Sequence, residues 1–155
     1  MTAQTGRTTS NYTLVYIDDS AGTLRSIAVN SIGGVGLEYE EKDVTAWYDA
    51  IKGVLLGQPS FSTTISGPVD TTADTGNHPV LSGVVGKNVP LAFDVRLGVR
   101  HVWEAGEPVF GVTATAANGV LVKSYKIDPE SMTYTAEIVM AAGSAAPDWA
   151  TAAHT

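Results

Sequence analysis

From position 91 to 103 the chain sets Leu91, Phe93, Val95, Leu97, Val99, His101 and Trp103 at every second residue. Successive side chains of an extended chain point to opposite faces, so a period of two marks a strand with one face on a core. The same alternation returns at 132–140. There Met132, Tyr134, Ala136, Ile138 and Met140 point inward, and Thr133, Thr135 and Glu137 point outward. At 35–41, Val35, Leu37 and Tyr39 oppose Glu38 and Glu40. β-Branched and aromatic runs at 12–17, 24–32, 61–69, 108–115 and 119–127 bring the total to about eight strands. In the 61–69 run Phe61, Thr63, Ile65 and Val69 share a face, and in 108–115 Phe110 and Val112 do.

Turn chemistry punctuates these runs. DDSAG (18–22), the Gly33–Gly34 pair, EAGEP (104–108) and DPES (128–131) carry residues that bond their own backbone or accept positive φ. AANG (116–119) suits a type I′ turn, so 119–127 is expected to pair back on 108–115.

One stretch breaks the pattern. In KDVTAWYDAIKGVLLG (42–57), Val44, Trp47, Ile51, Val54 and Leu55 fall on one face at 3.6 residues per turn. Asp43 is placed as an N-cap, Gly57 as a C-terminal stop, and Pro59 prevents continuation. Gly53 inside such a helix costs about 1 kcal/mol relative to Ala, which the packed face must offset. The expected fold is therefore mainly β. It is a β-sandwich or partly closed barrel flanked by one α-helix at about 43–57, whose apolar face seals an open side of the sheets. The segment DTTADTGNHPVLSGVVGKN (70–88) is long for a plain connection, though a short turn of helix or strand fits within HPVLSGVV. Residues 1–11 read as a flexible arm, 12–140 as a single domain, and 141–155 as a low-complexity C-terminal arm containing Trp149.

Composition narrows the function. The chain has 155 residues, enough for one domain with a core that needs no staples, and it has no cysteine for disulfides, thiolate metal sites or a thiol nucleophile. Its net charge is -7, from 9 Lys+Arg against 16 Asp+Glu, which disfavours a nucleic-acid reader. No apolar run reaches a membrane span, and the first twenty residues lack a signal-peptide core. A soluble protein without a secretion address is expected. Charged residues make up 16 % of the chain, against about 25 % in ordinary domains. So little charge suits either a compact β protein or a subunit that covers itself with copies of itself.

The motifs of chemistry are missing. His78, His101 and His154 form no paired metal-ligand spacing, and the acidic turns do not match an EF-hand. There is no Gly-x-Ser-x-Gly elbow. Gly33-Gly34-Val35-Gly36 precedes a strand rather than opening a helix, so its amides do not converge on a phosphate. Adjacent carboxylates at Asp18–Asp19 and Glu40–Glu41 point opposite ways on a strand. No catalytic, metal or cofactor-binding residue is assigned, no cofactor is expected, and an enzyme is not expected.

The order of the pieces resembles the tail tube (major tail) proteins of long-tailed bacteriophages. The likeness lies in a strand reaching Gly36-Leu37, Asp43-Val44-Thr45 opening a helix, PSFSTTISGPVD (59–70), HPVLSG (78–83), and the closing Pro147-Asp148-Trp149. It is clearest over 35–83. The resemblance implies a sandwich with a flanking helix, assembled as stacked, hexameric rings that form a conduit for DNA without binding it specifically. Partners would be copies of the chain and other tail proteins, in a virion assembled in the host cytoplasm. Loop residues Asp70, Thr72, Asp74, Thr75, Gly76, Asn77 and His78, with the two arms, would make the stacking contacts. Related alternatives are a capsid decoration or tail-terminator protein, or a β-sandwich ligand-binding module. The long insertions and appended immunoglobulin-like domains of larger tube proteins are absent.

Overall fold

The computed structural model describes residues 6–99 and 103–154; the expectation for His101 falls outside them. Eleven strands and one α-helix form among the described residues. A short 3-10 turn, Ser10–Tyr12, leads into β1 (Thr13–Asp18). Then come β2 (Leu24–Ile27), β3 (Ser31–Ile32), β4 (Glu38–Asp43), β5 (Val54–Ser60) and β6 (Ser62–Pro68). The helix α1 (Asn77–Val84) follows, then β7 (Phe93–Leu97), β8 (Val109–Val112), β9 (Val120–Asp128), β10 (Thr133–Met140) and β11 (Asp148–Ala150).

The strands make two main sheets and one separate hairpin. One sheet runs β11-β8-β7-β1-β2 and the other β3-β6-β10-β9, while β4 and β5 pair with each other. Every pairing between strands is antiparallel. The alternating residues meet between the main sheets. Ile17, Ile65, Phe93, Val95, Phe110 and Ile138 are fully buried in a single cluster. Phe61 bridges the layers, its ring 5.2 Å from Phe110 and 6.1 Å from Phe93. At about 1.5–3 kcal/mol for each such side chain removed from water, this layer is the main source of stability. Among the described residues the fold is a sandwich of open sheets with a flanking helix, and no barrel closes.

The helix is in a different place from the expected one. Residues 43–57 are not helical: Asp43 ends β4, Val54–Ser60 is β5, and the ten residues between form the loop of a hairpin. Val44, Trp47, Ile51, Val54 and Leu55, expected to pack against the sheets, are all exposed. Asp43 does make the capping bond, its Oδ1 accepting from the Thr45 N–H at 2.9 Å. The turn then closes at once, because the Asp49 carboxylate accepts from the Ala46 N–H at 2.8 Å and the Asp49 N–H donates to the Ala46 carbonyl at 3.0 Å. An isolated helix of this length is marginal in water unless its apolar face docks.

The lid role falls to α1. Asn77, Val80, Leu81 and Val84 are its buried residues, one face at helical spacing, and it contacts β2 and β9, an edge strand of each main sheet. It thus closes the side of the sandwich where those two edges face one another.

Three smaller expectations also change. The run at 119–127 pairs with β10 in the second sheet and not with β8, so AANG carries the chain between sheets rather than around a hairpin. Gly119 is required there, since a Cβ would lie 2.7 Å from the Leu91 nitrogen and from the Pro90 Cβ. The run at 24–32 splits into β2 and β3, which lie in different sheets. Met132 does not point inward; it sits exposed in the turn before β10 with φ 51.

Candidate assembly surface

The hairpin β4–β5 forms its own two-stranded sheet, hydrogen-bonded to neither main sheet. Its register pairs Glu38 with Ser60, Tyr39 with Pro59, Glu41 with Leu56, Lys42 with Leu55 and Asp43 with Val54, with a bulge between Tyr39 and Glu41. Beyond the last pair, the Val44 N–H reaches the Gly53 carbonyl at 3.0 Å, and the Thr45 hydroxyl accepts from the Gly53 N–H at 2.8 Å. These bonds hold the loop base. They leave the loop side chains without a surface to lie on.

The loop is strongly apolar. Trp47 is fully exposed, Tyr48 is 90 % exposed and Ile51 82 %. Val44, Val54, Leu55 and Leu56 extend the apolar surface down the strands. Below it, β4 carries Glu38, Glu40, Glu41 and Asp43, so an apolar tip stands on an acidic stem. Hydrogen bonds from the Thr45 backbone and side chain hold the Asp43 carboxyl below its usual range, keeping that charge in place. A two-stranded hairpin is marginal alone in water, and a concentrated exposed apolar patch marks a contact surface. The sequence pattern groups Val44, Trp47, Ile51, Val54 and Leu55 as the packed face of a helix; in the structure all five are exposed on the hairpin.

The loop 70–78 is a compact, internally bonded turn. Asp70 Oδ1 accepts from the Thr72 N–H at 2.9 Å and the Thr72 hydroxyl at 2.6 Å, and these bonds hold the Asp70 carboxyl low. The Gly76 N–H donates to the Thr72 carbonyl at 2.9 Å, and the His78 N–H to the Asp70 carbonyl at 3.1 Å. Asn77 is buried: its Oδ1 accepts from the Asp70 N–H at 3.0 Å and its Nδ2 donates to the Pro68 carbonyl at 2.7 Å. His78 is half-buried with Nδ1 3.1 Å from the Tyr125 hydroxyl. Gly76 and Asn77 therefore serve the subunit's own fold, while Asp70, Thr72, Asp74 and Thr75 face outward.

A cleft of about 670 Å³ lies at the hairpin base, lined by Leu37, Gln58, Pro59, Phe61, Met140 and Pro147 among others. None of its lining residues is titratable. Among the described residues no group of three His, Asp or Glu is arranged to hold a metal ion, and no helix is long and apolar enough to cross a membrane.

No protein-family model and no curated protein matches the chain. Its fold is similar to a chain in the cryo-EM structure of the anti-feeding prophage baseplate, six-fold symmetrised. That likeness has a TM-score of 0.65 at 12 % identity and covers 94 % of this chain and 97 % of the other. A likeness this distant in sequence and this complete in length establishes a common fold across the whole sandwich.

Proposed function

We infer that this chain is a structural subunit of a phage-type particle, a tail tube protein that assembles with copies of itself into stacked rings. The observation that carries the inference is the hairpin β4–β5, with Trp47, Tyr48 and Ile51 presented to solvent. Burying each of these against a neighbour contributes about 1.5–3 kcal/mol, enough in a multiply contacted ring to drive association. The low charge content fits a surface that is mostly covered once assembled. The shared fold with a chain of a six-fold symmetrised baseplate supports a ring-forming subunit, and the resemblance to tail tube proteins supports the tube. On this reading the protein acts in the virion, catalyses nothing and lets DNA pass without holding it, consistent with its net negative charge.

The same baseplate likeness favours a second reading, a ring fixed within a baseplate that does not extend into a tube. Electron microscopy of the concentrated protein separates them. Hollow rods support the tube, and discrete rings that stop growing support the baseplate position. A persistently monomeric wild-type chain, alone and with tail components, overturns both. Replacing Trp47 and Ile51 together by Asp should abolish assembly while leaving the thermal unfolding of the subunit unchanged. Normal assembly of that double variant would remove the hairpin from the interface.

A further inference from the structure

The C-terminal segment is tied to the five-stranded sheet by a construction that no sequence motif announces. Asp94 on β7 pairs with Gly111 on β8, which pairs with Asp148 on β11. The three form one cross-strand row, with a carboxylate at each end and no side chain between. A Cβ at Gly111 would collide with the Phe93 carbonyl oxygen and the Asp94 carboxylate, so the gap is required. His154 spans the two carboxylates. Its Nδ1 lies 2.6 Å from Asp94 Oδ1 and its Nε2 2.7 Å from Asp148 Oδ1, while its backbone N–H donates to Asp94 Oδ2 at 3.0 Å. Asp94 is fully buried and His154 nearly so.

A carboxylate only accepts hydrogen bonds, and a neutral imidazole has one N–H and one lone pair. Both of these short contacts are satisfied at once when the ring carries two protons. We propose that protonated His154 is a pH-responsive clasp that holds residues 148–154 on the sheet and lets them go as the ring loses its proton.

The surroundings favour the protonated cluster at low pH. Burial pushes the Asp94 carboxyl up, opposed by hydrogen bonds from the His154 N–H and ring and by the charges of His154 and Arg96. Arg96 on β7 reaches Asp94 Oδ2 at 3.3 Å, and its guanidinium lies over the rings of Tyr16 on β1 and Trp103. Glu104 and Glu107 lie in the adjoining turn, whose Gly106 N–H donates to the Thr151 carbonyl at 2.7 Å. β8 contributes no charge. Removing the ring proton therefore leaves a nitrogen lone pair facing a carboxylate oxygen, in a cluster where Arg96 is the remaining cation among the described residues. β11 covers the outer edge of β8, and Trp149 lies 5.0 Å from Phe110. Release bares that edge for pairing with another strand.

The test is nuclear magnetic resonance of the whole chain, followed from mildly acidic to alkaline pH until the His154 ring has lost its proton. It follows the His154 ring nitrogens, the Trp149 indole, and protection of the His154 amide corrected for intrinsic exchange. Both ring nitrogens should carry protons at the low end. Amide protection should fall by roughly tenfold or more as the ring titrates, the scale of losing a charged hydrogen bond, and the Trp149 signal should move with the same midpoint. His154→Gln should show low protection at every pH, and Asp148→Asn, altered on the exposed side, should show a smaller step. Protection that stays level while the ring titrates, or an undiminished step in His154→Gln, would overturn the clasp.

Discussion

Two stretches of this chain carry apolar residues at helical spacing, and they end in opposite environments. In 44–55 the set Val44, Trp47, Ile51, Val54 and Leu55 becomes the exposed surface of a hairpin. In 77–84 the set Val80, Leu81 and Val84, joined by the polar Asn77, becomes the buried face of α1. The first stretch has the larger side chains and a better cap; the second contains Pro79 and Gly83 and is only eight residues long. What separates them is the available partner surface. α1 lies against β2 and β9, and Asn77 anchors its first turn to the chain at Pro68 and Asp70. Among the described residues the apolar side chains of the hairpin tip stay exposed, with no such dock. Periodicity says which residues would share a face; it does not say whether another surface waits to cover it.

The sharpest way to break this contrast is to truncate each side. Leu81→Ala should destabilise the domain by about 2–5 kcal/mol in chemical denaturation, as expected for a fully buried leucine; a loss below about 1 kcal/mol would mean that α1 does not seal the sandwich. Asn77→Ala should cost about 1–3 kcal/mol, because it leaves the Asp70 N–H and the Pro68 carbonyl without their side-chain partner. Trp47→Ala should change subunit stability by no more than about 0.5 kcal/mol, the scale of surface substitutions, and should act on assembly instead. A loss of several kcal/mol in the dissociated subunit would show that Trp47 packs within its own chain.

The smallest effect concerns the two caps. Asp43 and Asp70 are both held below the ordinary carboxylate range by hydrogen bonds from the threonine two residues on. A depressed folded-state value means that each contribution is complete above the unfolded value and is lost as pH falls through the folded one. Carbon-detected titration should place both midpoints below 3.8. Thr72→Val should raise the Asp70 midpoint, and Thr45→Val the Asp43 midpoint. A pair of midpoints at or above 3.8 would show that the caps are open in solution.

Much of the sandwich is legible in the sequence. The alternation at 61–65, 91–95 and 134–138 maps onto buried Phe61, Thr63, Ile65, Leu91, Phe93, Val95, Tyr134, Ala136 and Ile138. The turn at 18–22 forms through Asp19, whose Oδ1 accepts from the Ala21 and Thr23 N–H groups at 2.9 Å. A lid on an open side was also expected, but the wrong segment was given the part. The candidate surface was half legible: its residues stood out as a set, yet their exposure did not. The clasp was not legible at all, since nothing local links Asp94, Gly111, Asp148 and His154.

The sequence by itself determined which segments extend, which residues alternate toward a core and where tight turns fall. Those properties follow from side-chain geometry within a few residues. Tertiary structure alone decided which strand neighbours which, which of two helix-like stretches finds a face to cover, and how a glycine opens a gap between two distant carboxylates. Each of these depends on surfaces brought together by the whole chain, and the free energy of covering a surface cannot be assigned until both of its sides exist.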